Sequence, residues 1–145
     1  SDAEHLQVKS IDGLNFYTDL YLGTEYDKVK MAVSTQTPVT FVASAAGECS
    51  GCNEHQKGYD YHKSSSISKT SSAMQTVSLG KDSISGVMVQ DQLSLHRDEA
   101  NETSWGEIEM FPFMIANEWN QSRVQEVDGV FSLAKSQANG QPTLL

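Results

Sequence analysis

Four groups of side chains in this sequence are of types that carry chemistry. Ser34 has a hydroxyl, which becomes a nucleophile only with a base in hydrogen-bond reach, usually a histidine oriented by a third group. The four histidines are His5, His55, His62 and His96, and none stands in a recognisable nucleophile motif. Cys49 and Cys52, with His55 and His62, are zinc-ligand types. Structural zinc takes four ligands, typically with a longer gap before a closely spaced histidine pair. Here the histidines are widely spaced and follow the cysteines at once. A redox Cys-x-x-Cys pair needs a helix start in a βαβ setting, and no such pattern surrounds these two. Asp60, Asp82, Asp91 and Asp128 are possible acid–base carboxylates, but each falls at a turn or a position with a structural use. Trp105, Phe111, Phe113 and Trp119 could line a ligand platform, yet aromatics near strands more often fill a core. The expectation is therefore no metal and no cofactor.

The elements that must position these groups read as short strands broken by turns, with no internal repeat and no sustained helical period. Leu14 to Leu22 is rich in aromatic and aliphatic residues and ends at Gly23-Thr24-Glu25. Val29 to Val33 alternates and continues toward Val39-Thr40-Phe41-Val42, which predicts a first hairpin about the Gly23–Lys28 turn. Ser64 to Ser72 is serine-rich and reads as a loop. Met74 to Leu79 and Ile84 to Leu95 flank Gly80-Lys81-Asp82, a second hairpin. His96 to Gly106 is charged and reads as a surface loop. Ile108 to Ala116 is another strand candidate, whose Pro112 argues for an edge, a bulge or a strand start. Val127 to Ala134 is the last run.

Length and charge set the frame. The chain has 145 residues, enough for one domain with a real core. Its formal net charge of −9 repels phosphate backbones and anionic membranes, so no nucleic acid is expected as a partner. No stretch approaches the ~20 apolar residues of a spanning helix, so membrane insertion is not expected either. Ser1 to Lys9 is polar and lacks the apolar centre of a signal peptide. The start on Ser1 and the end on Leu144-Leu145 read as a processed or cut polypeptide. Two glycosylation sequons, Asn101-Glu102-Thr103 and Asn120-Gln121-Ser122, join an even cysteine count. Together they point to the secretory pathway: outside the cell, or a lysosome- or vacuole-like lumen.

The order of motifs resembles the amino-terminal lobe of pepsin-like aspartic proteases. Phe16 to Thr24 is similar to the family's "YYxxIxLGTP". Cys49 to Cys52, then Tyr59-Asp60 and Lys63-Ser64-Ser65-Ser66, resemble its small disulfide loop and "F/Y-D-x-x-x-S-S-T". Ser83 to Asp91 resembles "GSxSGxxxxD", and Asp128 to Ala134 resembles "DGILGLA". The resemblance implies an all-β, pepsin-like acid protease lobe of double-psi barrel or sandwich type, with short strands and few short helices. It covers the chain as one lobe over 1–145, with 1–13 as an amino-terminal extension and the carboxy-terminal lobe absent. It also implies a Cys49–Cys52 disulfide. In this family two aspartates, one per lobe, share a proton and activate a water, because two carboxylates so close cannot both ionise.

Against the family's "VDTGSSNLWV", the segment in register is Val33-Ser34-Thr35-Gln36-Thr37-Pro38-Val39-Thr40-Phe41-Val42. Thr35 keeps the threonine and Phe41 stands at the aromatic position. Ser34 then occupies the place of the aspartate and Gln36 that of the glycine, so the degenerate catalytic loop is Ser34, Thr35, Gln36 and Thr37. A serine cannot share the proton or act as general base to water. Leu79 stands where the flap tyrosine is expected, and Ser132 where "LGLA" has glycine. The expectation is a pseudoprotease lobe with no catalytic residue, acting as a structural or protein-binding module. Its partners would be a carboxy-terminal lobe on a separate chain, a second copy, or subunits of a larger assembly, met through an exposed apolar face. The alternatives are an aspartic endopeptidase, and a cleft that binds peptide without cutting it.

Overall fold

The computed structural model describes residues 9–11, 15–35, 37–45, 47–70, 73–122 and 126–133. Among the described residues nine strands form one sheet: β1 (Lys9–Ile11), β2 (Asn15–Leu22), β3 (Asp27–Ser34), β4 (Phe41–Ala43), β5 (Ser68–Lys69), β6 (Gln75–Leu79), β7 (Asp82–Asp98), β8 (Thr103–Asn120) and β9 (Gly129–Ser132). The hydrogen-bonded order is β1-β2-β3-β9-β4-β8-β7-β5, with β6 and β2 also paired to β7. Among the described residues the helical content is a single 3-10 turn at Tyr61–Lys63. The chain is all-β, as the motifs predict. β1 lies within the segment read as an extension and pairs with β2.

Both predicted hairpins form. β2 and β3 pair antiparallel through the turn at 23–26, and β6 and β7 pair antiparallel through Gly80-Lys81. Two expectations are corrected. The charged run His96 to Gly106 is not simply a loop: β7 continues to Asp98 and β8 starts at Thr103, so only a four-residue turn separates them. The two arms are 17 and 18 residues long, not short strands. Charge misleads here because ring contacts hold the arms: His96 stacks on Trp105 at 5.4 Å, and the Arg97 guanidinium lies 3.9 Å from the Tyr26 ring centroid. The serine-rich connection also carries β5, which pairs with β7. Pro112 lies mid-strand, beside the register shift at Asp91–Leu93, the bulge reading of that proline.

The middle of the sheet is buried on both faces. Successive residues point to opposite sides, and the core divides accordingly. Val42, Val89, Ile115 and Phe131 join one apolar cluster with Leu20, Met31, Tyr59 and Phe113. Their chain neighbours Phe41, Met88, Met114 and Val130 join the other, with Val77, Ile84 and Trp119. β4 and β9 are therefore buried at every position. That is why their sequences read as continuous apolar runs rather than alternation.

Candidate functional site

The chain enters the loop after Ser34, at the end of β3, and leaves it at Phe41, the start of β4. Those two strands are not neighbours. β9 lies between them, parallel to β3 and antiparallel to β4. The loop must cross the end of β9, and polar contacts fix the crossing. Leu133 N–H donates to the Ser34 carbonyl at 2.7 Å. Ser132 N–H donates to Thr40 Oγ1 at 2.9 Å, and Ser132 Oγ donates to the Thr37 carbonyl. Gly129 opens β9 where a Cβ would sit 2.1 Å from the Phe41 carbonyl oxygen, so only glycine lets β9 lie this close to β4.

Within this crossing, Ser34 Oγ accepts two hydrogen bonds from Thr37: from its backbone N–H at 3.1 Å and from its hydroxyl at 2.8 Å. Thr37 is fully buried, while Thr35 is exposed. Gln36 lies outside the described residues. Among the described residues no histidine bonds Ser34. His62 pairs with Glu48 at 3.0 Å, His96 stacks on Trp105, and His55 is exposed; His5 lies outside the described residues. The arrangement is a rigid, hydroxyl-rich cradle around one small side chain.

β6 and its turn pack on the apolar cluster that also takes in Val39 and Phe41, after the loop. Leu79 is half-buried against the cluster that contains Phe41 and Trp119. Trp119 ties three elements together. Its ring meets Phe41 edge-on at 5.1 Å, its Nε1–H donates to Asp82 Oδ2 at 3.1 Å, and its backbone N–H donates to the Ser50 carbonyl at 2.8 Å. Asp82 also accepts from Ser122 N–H at 2.9 Å and Ser122 Oγ at 2.8 Å. This buried carboxylate staples the turn side of the hairpin to β8. Asp82 thus has the structural use that its place at the turn suggests, though its burial was not legible in the sequence.

Cys49 and Cys52 are disulfide-bonded. Closing so short a loop contributes about 2 kcal/mol in the chain-entropy picture. Its larger effect is to shape the backbone that meets Trp119. No group of three or more metal-ligand types converges among the described residues. Asp60 caps the 3-10 turn by accepting from His62 N–H. Asp128 is buried and accepts from Lys30 N–H at 2.8 Å and Gly58 N–H at 2.9 Å. Of the aromatics, Phe111, Phe113 and Trp119 are core residues. Asn101 is exposed in the turn between β7 and β8, and Asn120 is exposed at the end of β8. Two surface hollows of about 280 and 510 Å³ lie elsewhere, around Glu25 to Lys28.

A second polar cluster unites motifs that are far apart in sequence. Asp91 has no exposed surface. It accepts from the Tyr59 hydroxyl, from Ser64 Oγ and Ser66 Oγ, and from Gln92 N–H. Gly23 closes over this group at φ 76, where a Cβ would meet the Tyr59 hydroxyl at 2.2 Å. Burial and the Asp91 carboxylate push the Tyr59 hydroxyl far above the ordinary tyrosine range. The folded state therefore holds this proton more tightly than the unfolded chain. Stability from it is complete below the ordinary tyrosine pKa of about 10 and falls as pH rises above that value. Tyr59→Phe should lose part of this alkaline slope, measured as urea midpoints at pH 8 and 10.5.

Residues 15–141 match the family model described as eukaryotic aspartyl protease. Comparison with curated proteins finds no match.

Proposed function

Because the chain belongs to the eukaryotic aspartyl protease family, we propose that it is a non-catalytic member whose lobe serves protein contact rather than peptide cleavage. The observation that carries this reading is the cradle at Ser34: two donors from Thr37 converge on a hydroxyl where the family's chemistry requires a carboxylate. The family resemblance supports the register. Without a carboxyl there is no shared proton and no base for the attacking water. Leu79, at the position where the resemblance has the flap tyrosine, offers no hydroxyl, and it packs against the cluster that contains Trp119. The secretory setting remains part of the proposal, supported by the Cys49–Cys52 bond and two exposed sequon asparagines.

The partner is not read from an apolar face. Among the described residues the large hydrophobic side chains left exposed are Met74 and Met110, so the broad patch expected of an open lobe is not found there.

The test is cleavage of a denatured protein at acid pH, with and without a transition-state-mimic inhibitor of aspartic proteases. No inhibitor-sensitive cleavage is expected from the purified chain. Ser34→Asp is expected to stay inactive as well, although Thr37 supplies donors that would hold the new carboxylate. The reaction needs a second carboxylate, and Asp60, Asp82, Asp91 and Asp128 are each held by structural hydrogen bonds. Inhibitor-sensitive cleavage by the parent chain would overturn the reading.

A further inference from the structure

The two sequons sit in different structural settings, and folding treats them differently. Asn101 lies in the four-residue turn that joins β7 to β8. Residues 99–103 are all exposed, so the whole Asn101-Glu102-Thr103 sequon stands at the tip of the hairpin. Asp98 braces that turn. Its carboxylate accepts from Ala100 N–H at 3.1 Å, Asn101 N–H at 3.3 Å and Asn101 Nδ2–H at 2.7 Å. A primary amide carries two hydrogens, so the last contact engages one and leaves the other. The Thr103 hydroxyl makes no hydrogen bond among the described residues.

The second sequon, Asn120-Gln121-Ser122, is committed to the fold. Ser122 donates its N–H at 2.9 Å and its hydroxyl at 2.8 Å to Asp82 Oδ1, and Asp82 is only 6% exposed. Gln121 accepts from Asn53 Nδ2 at 3.0 Å and donates to Gln56 Oε1 at 2.6 Å. Asn120 itself is exposed at the end of β8, opposite Ser83 of β7. The hydroxyl that completes its sequon, however, is held against a buried carboxylate. A glycosyl-transferring enzyme reads asparagine and hydroxyl together. Asn101 therefore stays available before and after folding, whereas Asn120 is available only before it.

We propose that Asn101 is the N-glycosylation site of this chain and that Asn120 is left bare because folding withdraws Ser122. The donor is a lipid-linked pyrophosphate oligosaccharide. Asn101 Nδ2 bonds to the anomeric carbon, the carbon–oxygen bond to the pyrophosphate breaks with its electron pair leaving on oxygen, and the amide gives up one proton. The remaining amide hydrogen keeps the contact with Asp98, so the turn retains its brace. A glycan is bulky and hydrophilic. At this tip it reserves the outer hairpin for solvent and directs protein contact to the rest of the surface. This rests on the secretory part of the reading above, and not on the absence of cleavage.

The test is secretion of the full chain from a eukaryotic cell behind a cleavable signal peptide, with intact mass read before and after peptide N-glycosidase. One removable oligosaccharide per chain is expected. Asn101→Gln and Thr103→Ala should each lose it completely, Thr103→Ser should keep it, and Asn120→Gln should leave it unchanged. The Thr103 variants retain Asn101 and its bond to Asp98, so a loss in Thr103→Ala alone does not come from a broken turn. A chain secreted without added mass would overturn the proposal, as would a glycan that survives Asn101→Gln. A second glycan that Asn120→Gln removes would overturn the exclusion of Asn120. A bare chain from its own source beside a glycosylated secreted one would sink the secretory reading and leave the acceptor site standing.

Discussion

Asp91→Ala is expected to lower folding stability by about 3–5 kcal/mol, read as a fall in the urea midpoint with an unchanged slope. Asp91 is fully buried, and among the described residues no cation pairs with it. Its charge is accommodated by converging donors: the Tyr59, Ser64 and Ser66 hydroxyls and the Gln92 N–H. Removing the carboxylate strips the acceptor from all four at once, and a buried donor without a partner costs about 1–3 kcal/mol. Water can reach Ser66, which is exposed, but not Tyr59. Tyr59→Phe removes one donor and leaves the carboxylate three, so about 1–2 kcal/mol is expected there. The double variant should cost less than the sum, because both changes break the same contact. An Asp91→Ala chain within 1 kcal/mol of the parent would mean that the cluster is incidental to folding.

That cluster shows what was legible in the sequence. Gly23, Tyr59, Ser64 and Asp91 each belong to a motif that the family resemblance picks out, in three separate stretches of chain. The motifs gave their order, and the fold shows the reason for it: they meet on one buried carboxylate. Hairpin turns were legible because Gly23 and Gly80 sit between runs of strand-forming residues, a local signal. The lengths of β7 and β8 were not. Their outer halves are polar, and what holds them is long-range: Arg97 against Tyr26, and His96 against Trp105. A window of sequence that contains only one arm cannot show the other.

The cradle at Ser34 was half legible. Phe41 and Thr35 fixed the register, and Ser34 followed. Gln36 stands where the resemblance has glycine, a position where a Cβ restricts the backbone. Gln36 itself lies outside the described residues, but Thr37 still turns both its N–H and its hydroxyl onto position 34. Ser132, which stands where the resemblance has glycine, makes a contact of its own. Its hydroxyl ties the loop to β9, a contact between residues 95 positions apart, and no local pattern could reveal it.

Trp119→Ala should be as damaging as the loss of Asp91, at about 3–5 kcal/mol, but its signature differs. Trp119 is almost wholly buried, and its ring fills the space between Phe41, the β6–β7 hairpin and the disulfide loop. Truncation removes the edge-on contact with Phe41 and the indole donor to Asp82. Asp82 keeps Ser122, so the charge is not stranded and the larger cost is the cavity. A cavity lined by Phe41 and its apolar neighbours is the kind that accepts a small aromatic molecule. Added indole should therefore raise the melting temperature of Trp119→Ala and leave that of the parent unchanged, since a ligand bound only by the folded state stabilises it by mass action. Trp119→Phe, which leaves a smaller hole, should show a smaller loss and a weaker response. Rescue of the alanine variant would locate the defect in the cavity that the missing ring leaves beside Phe41. Equal shifts in parent and variant would mean that indole binds elsewhere and that the truncation leaves no cavity able to hold it.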